Sequence, residues 1–160
     1  MTNWKATWKL WVFGFFKIPL LFFVKPRVVC ETTEEVEIKI PLKRRTRNHL
    51  GVMYIGALVV GADCAAGLMA LNEAEKSGEK IALLFKDFKA NFLKRAESDV
   101  HFICRDGEKI RQQVQEAIQS KQRINLPVHV TATTPKISGE EPVAIFELTL
   151  SLKKCRGKVA

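Results

Sequence analysis

The sequence predicts an α+β fold: a curled antiparallel sheet of about six strands wrapped around one long central apolar helix, with an extra helix at the N-terminus. Two observations carry this. The stretch Asn48 to Asn72, NHLGVMYIGALVVGADCAAGLMALN, reads as a helix without a solvent face, because Leu, Val, Met, Gly and Ala fill every turn after Tyr54. Such a helix has to be enclosed. The rest of the chain supplies the enclosure, as runs of alternating apolar and polar residues joined by polar turns. The helix is also thin: Gly56, Ala57, Gly61, Ala62, Ala65, Ala66 and Gly67 invite close backbone approach, which offsets the roughly 1 kcal/mol of helix propensity each Gly costs.

In chain order, Trp4, Trp8, Trp11 and Phe15 follow helical spacing and predict an amphipathic first helix ending before Pro19. Interrupted by Lys17 and Pro19, this apolar run falls short of a bilayer span. Its aromatic stripe is expected to be core packing or an oligomer contact. Lys5, Lys9 and Lys17 add a second reading, contact with a membrane surface. Val28 and Cys30, then Val36, Ile38 and Ile40, form a hairpin around the turn 31–34, and Pro41 ends it ahead of the basic loop Lys43, Arg44, Arg45 and Arg47. Ser77-Gly78 closes the central helix. A long strand from Ile81 to Leu93 carries Phe88, Ala90 and Phe92 on one face and Leu83 and Phe85 out of register, so a bulge is expected near Lys86 and Asp87.

Val100, Phe102 and Cys104 mark a strand expected to pair with that one through the turn 94–98. Ile110, Val114, Ala117 and Ile118 stripe a short helix with Asp106 as its expected N-cap. Ile124 to Ala132 and Phe146 to Leu152 alternate as a last hairpin, with Pro127 marking an edge position.

At 160 residues the chain predicts one domain over 1–160, with 1–24 as N-terminal helix and lead-in and 26–153 as the core. An apolar content of 47% with 27% charged residues excludes extended disorder. The net charge of +9 favours an anionic partner: nucleic acid, a membrane surface or a phosphorylated small molecule. Cys30, Cys64, Cys104 and Cys155 show no CxxC and read as reduced thiols of a cytoplasmic protein. His49, His101 and His129 have no metal-binding spacing, so no metal is expected.

One residue is out of place. Asp63 is the only charged side chain between Met53 and Asn72, and an ionised carboxylate is expensive to bury without partners. Either it reaches a wet cleft, where it marks a site, or hydrogen bonds hold it structurally.

The motif Asn48-His49-Leu50-Gly51, then Tyr54-Ile55-Gly56, then Asp63 resembles a segment of the PaaI-like branch of hotdog-fold acyl-CoA thioesterases. There it reads Asn, two residues, Gly, a short spacer, His-Gly-Gly, and an Asp two turns into the helix. The layout matches over roughly Pro26 to Leu152. The resemblance implies thioester hydrolysis at a site shared by two subunits of a homodimer or dimer of dimers. Coenzyme A enters as part of the substrate, and no cofactor is expected.

The implied roles are an oxyanion hole from the helix N-terminal amides of Ile55 and Gly56, and Asp63 as general base or nucleophile. Asn48 would orient the carbonyl or water, or else cap the helix entry. Gly51, Lys94, Arg45 and Arg47 would contact substrate; Lys94 could equally pair with Asp63, and the basic loop could equally be solvated. The chain departs from the family pattern in having Tyr54 where the His is usual, and Lys94 where Ser or Thr often faces the site. A non-catalytic module binding acyl-CoA or acyl carrier is the alternative. A small nucleic-acid-binding protein is a third, against which stands the lack of any helix-turn-helix, finger or RNP-like signature.

Overall fold

The chain opens with two helices where the sequence predicts one. In the computed structural model, which describes residues 1–155, α1 (Trp4–Lys17) is followed by α2 (Pro19–Val24). The last five residues of the expected 1–160 domain lie outside the described residues. Asn3 starts α1, its side-chain oxygen accepting the Ala6 N–H at 3.1 Å. Pro19 stops α1 but suits the first position of α2, where no N–H is needed. The two helices fold back tightly at Gly14, where a Cβ would lie 2.9 Å from the Phe22 nitrogen.

The aromatic stripe is not core. Thr7, Leu10 and Gly14 are the buried residues of α1, while Trp4, Trp8 and Phe15 lie exposed. What fixes the helix is polar: the Asn3 N–H donates to the Val28 carbonyl and the Val28 N–H donates to the buried Thr7 hydroxyl. These bonds satisfy the outer side of β1 (Arg27–Glu31), which is an edge strand.

The remaining elements are β2 (Val36–Ile40), α3 (Ile55–Lys76), β3 (Ile81–Phe92), β4 (Val100–Cys104), α4 (Gly107–Ser120), β5 (Ile124–Thr133), the single-turn α5 (Pro135–Ser138) and β6 (Pro142–Lys154). The six strands form one antiparallel sheet in the order β1-β2-β4-β5-β6-β3. The expected β3–β4 hairpin is absent. Length decides this: β3 has 12 residues and pairs along β6, which has 13, whereas β4 and β2 have 5 each and match one another. The bulge falls where predicted, between Phe85 and Phe88, so that Leu83, Phe85, Phe88 and Ala90 all turn inward. Pro127 is exposed beyond the stretch Val130–Thr133 over which β5 pairs with β4.

The central helix begins at Ile55, not at Asn48. Residues before it fold as a turn braced by the fully buried Thr46, whose hydroxyl donates to the Pro41 carbonyl and accepts the Lys43 N–H. From Ala57 to Ala74 the helix packs on β2, β4, β5, β6 and α4. By length and composition α3 would suffice to cross a bilayer, but here the sheet is curled round it. Close approach occurs at Gly61, where a Cβ would meet the Phe102 ring at 2.3 Å.

α4 closes one side, its Gln113 amide donating to the Ile124 and Leu150 carbonyls. Asp106 stands at the N-cap position but makes no capping bond. Its carboxylate instead accepts from Lys109 and from the His129 N–H, which together hold its pKa below the usual value against the effect of burial. A curled antiparallel sheet around one long apolar helix is the hotdog fold.

Because the Phe102 ring occupies the space a side chain would need, Gly61→Val is expected to lower unfolding stability by about 1–3 kcal/mol. A lower urea midpoint with an unchanged slope would register it; an unchanged midpoint would contradict this packing.

Candidate functional site

α3 is not enclosed on every side. Gly56, Val59, Val60, Asp63, Gly67 and Leu71 recur at helical spacing and remain partly accessible. The lower part of this stripe faces a cavity of about 600 Å³ between α3, the N-terminal helices and the first half of β3. Its walls are mostly apolar, from Leu10, Leu68, Leu71, Leu84 and Phe85, and Asp63 lines it. Gly67 leaves room here, since a Cβ there would meet only the Phe85 ring at 3.7 Å.

Asp63 therefore reaches a cleft rather than a hydrogen-bonded niche. Partial burial alone raises its pKa above the usual carboxylate value, and no neighbouring charge among the described residues offsets that. Lys94 does not pair with it; its ammonium lies 2.5 Å from Glu141 instead, at the far end of β3. Cys64, next in sequence, is buried, and desolvation together with the Asp63 charge drives its thiol pKa strongly upward, so it stays protonated and unreactive.

The helix N-terminus forms a second feature. Tyr54 occupies the N-cap position in extended conformation without a side-chain capping bond. The first helical hydrogen bonds run from the Ala57 and Leu58 N–H groups to the Tyr54 carbonyl, at 2.9 and 3.1 Å. The N–H groups of Ile55 and Gly56 precede them, with Ile55 52% exposed. The Tyr54 ring lies across Gly56, where a Cβ would come within 2.6 Å of it.

The approach loop is held firmly: the Tyr54 N–H donates to the Thr46 carbonyl, the Met53 N–H donates to the Ala96 carbonyl, and Arg47 bridges Met53. Asn48 does not cap the helix. Its side-chain oxygen accepts the Leu50 N–H at 2.9 Å, shaping a turn completed by Gly51 at φ 80°. Arg45 and Arg47 project exposed from this loop, and Arg45 is near enough to Lys25 to add to the desolvation that lowers the Lys25 pKa.

Gly56 and Asp63 share a face but stand two turns apart, about 10 Å along the axis. Asp63 lines the cavity, whereas Ile55 and Gly56 are not among its walls. Sequence reasoning marks Lys5 and Lys9 for a membrane surface but does not place them at the cavity, which they border from α1, and it misses Asn72, which donates to Glu31 at 2.7 Å beside it. The recurrence of Asp63, Gly67 and Leu71 every four residues was a usable signal; the contribution of α1 was not, because it depends on where α1 docks.

Comparison with solved structures finds the same fold in proteins of low sequence identity. A Chlorobaculum tepidum protein of unknown function, OLEI01261, superposes with a TM-score of 0.80 at 16% identity, over 96% of this chain and 98% of that one. PA5026 of Pseudomonas aeruginosa, described as a protein of unknown function and probable thioesterase, gives 0.76 at 23% identity over 93% and 96%. The thioesterase HI1161 of Haemophilus influenzae gives 0.63 at 17% identity over 88% and 87%. Comparison with curated proteins finds no match. Residues 7–147 match the family described as a domain of unknown function, DUF4442, and since the match takes in most of the chain, the chain belongs to that family.

Proposed function

We propose that this chain hydrolyses acyl thioesters, with acyl-CoA as the substrate class, in a homodimer where two copies complete each site. The observation that carries the reading is Asp63: a half-buried carboxylate without a neutralising charge among the described residues, lining an apolar cavity on the helix that also presents uncapped N-terminal amides. Desolvation makes it a stronger base than a free carboxylate. Fold relatives described as thioesterases support the same chemistry.

In this mechanism the Ile55 and Gly56 N–H groups hold the thioester carbonyl oxygen, aided by the positive end of α3. Asp63 of the second copy takes a proton from water, whose oxygen adds to the carbonyl carbon. The tetrahedral oxyanion collapses with cleavage of the C–S bond, and the thiolate leaves with the proton held by Asp63. Tyr54 supplies a hydroxyl donor at the entrance, and Asn48 and Gly51 shape the turn beside it. Arg45 and Arg47 bind the phosphates of coenzyme A. Lys94 joins them by exchanging its exposed partner Glu141 for phosphate.

The second copy is supported by β3, a 12-residue edge strand carrying exposed Leu84 and Phe92, which a monomer would leave unprotected. All four cysteines are unpaired, in keeping with a reducing cytoplasm. The exposed Tyr54, standing where the resemblance places a His, favours one second reading: a module that binds acyl-CoA without turning it over.

A thiol-release assay over acyl-CoA chain lengths distinguishes them. Turnover that Asp63→Asn lowers by about 10²–10⁴-fold is expected; tight acyl-CoA binding without turnover would select the binding module. Arg45→Ala with Arg47→Ala is expected to raise KM for acyl-CoA while leaving KM for acyl-pantetheine, which lacks the nucleotide, unchanged. An equal rise for both substrates would remove these arginines from phosphate binding.

The raised pKa also has a sign for stability. In the folded chain Asp63 holds its proton more tightly than in the unfolded chain, so the ionised form destabilises the fold at neutral pH. That penalty fades as pH falls through the folded pKa and is gone below the unfolded value of roughly 3.9. Asp63→Asn should therefore raise Tm at pH 7, and the gain should shrink toward pH 4. A gain independent of pH would mean the carboxylate is not desolvated.

A further inference from the structure

Residues before β1 expose more apolar surface than their role in the fold accounts for. On α1, Trp4, Trp8 and Phe15 are 57%, 66% and 57% exposed, and at the turn into α2 Phe16, Leu20 and Phe23 are 73%, 61% and 56% exposed. Trp4, Trp8 and Phe15 lie on one side of α1, away from the buried Thr7, Leu10 and Gly14. Clustered exposure of this kind marks an interaction surface.

The charge pattern names the partner. The first acidic residue of the chain is Glu31, while Lys5, Lys9, Lys17, Lys25 and Arg27 all precede it. Lys25 places its ammonium over the Trp11 and Phe22 rings, 4.4 and 3.3 Å from their centroids, and Arg27 lies over Trp4 at 5.5 Å. Positive charge thus rims the aromatic face with no carboxylate from the same segment among it. Trp and Phe on one face, with Lys beside them, suit the headgroup and acyl boundary of an anionic bilayer.

The surface is also rigid in advance. The Asn3 and Thr7 bonds to Val28, the close approach at Gly14 and the bond from the Trp11 indole N–H to the Pro26 carbonyl at 2.6 Å hold the two helices in place. α1 is fixed to β1, at the opposite end of the strand order from the open strand β3, and the two face each other only across the cavity that both line.

We propose that α1 and α2 form an interfacial anchor that seats this chain on an anionic phospholipid bilayer. Trp8, Phe16, Leu20 and Phe23 enter the acyl boundary, and the lysines lie at the headgroups. Lys5 and Lys9 also border the cavity that Asp63 lines, so docking brings its mouth to the membrane surface. The anchor does not depend on the hydrolase reading, since it concerns binding and not turnover.

The test uses the full chain with vesicles of phosphatidylcholine alone or with about 30% phosphatidylglycerol, read by co-sedimentation and tryptophan emission. Binding with a blue shift is expected on the anionic vesicles, weakened by salt. Phe16→Asp with Leu20→Asp should cut partitioning by about tenfold or more, and Lys5→Gln, Lys9→Gln and Lys17→Gln together should remove the preference for anionic lipid. These positions are exposed, so an unchanged circular dichroism spectrum and Tm are expected, and Trp8→Ser serves as an independent third variant.

The proposal is overturned if the intact chain binds neither vesicle. It is equally overturned if binding survives Phe16→Asp with Leu20→Asp but is lost on Arg45→Ala with Arg47→Ala. A change of oligomeric state in the Phe16→Asp, Leu20→Asp variant, without vesicle binding by the parent chain, would assign the aromatic face to a contact between copies.

Discussion

An apolar helix in water has to be covered, and the rest of this fold follows from how far α3 is covered. The curled sheet takes one side, α4 another and α2 part of a third, which leaves one stripe from Gly56 to Leu71 partly open. Small residues let the coat come close, most tightly where the Phe102 ring fills the space above Gly61. The open stripe is where the coat stops, and Asp63 stands in it. On the covered face of α3, as at Gly61 beneath the buried Phe102 ring, an unpaired carboxylate would have no access to water and its ionisation would be prohibitive.

The two features of the candidate site come from opposite properties of the same helix. Its beginning offers N–H donors because the first turn of any helix leaves them without backbone partners. Asp63 is notable because its side chain lacks them. Neither feature needs strain: the amides are unbonded at any helix start, and Asp63 is poised by desolvation alone. Within one copy the two stand apart, since helix geometry sets a two-turn separation between them.

Much of this was legible in the sequence. The alternation of Val36, Ile38 and Ile40 and of Val128, Val130 and Ala132 gave strands whose inward residues are buried as read, and the mismatch of Leu83 and Phe85 with Phe88 located the bulge. Periodicity, however, reports which way a side chain turns and not which strand lies beside it, so it does not reveal that β3 pairs with β6 rather than β4. The aromatic stripe of α1 misled for a related reason: Trp4 and Trp8 look like core, but Thr7 and Asn3 bond to Val28 and turn them outward. Asp63 stood out by contrast with its surroundings. Lys5 and Lys9 did not, because only docking carries them to the cavity.

The placement of β3 has a consequence for how the molecule is made. It follows α3 directly in the chain, yet its partner is β6, and Ile81 pairs with Lys154. Throughout synthesis on the ribosome the helix and its adjoining strand emerge long before the segment that completes the sheet. Contacts of such wide sequence separation are slow to close, so β3 stays an unpaired strand until β6 has been made, and an unpaired edge of that length is what a holding chaperone would shield.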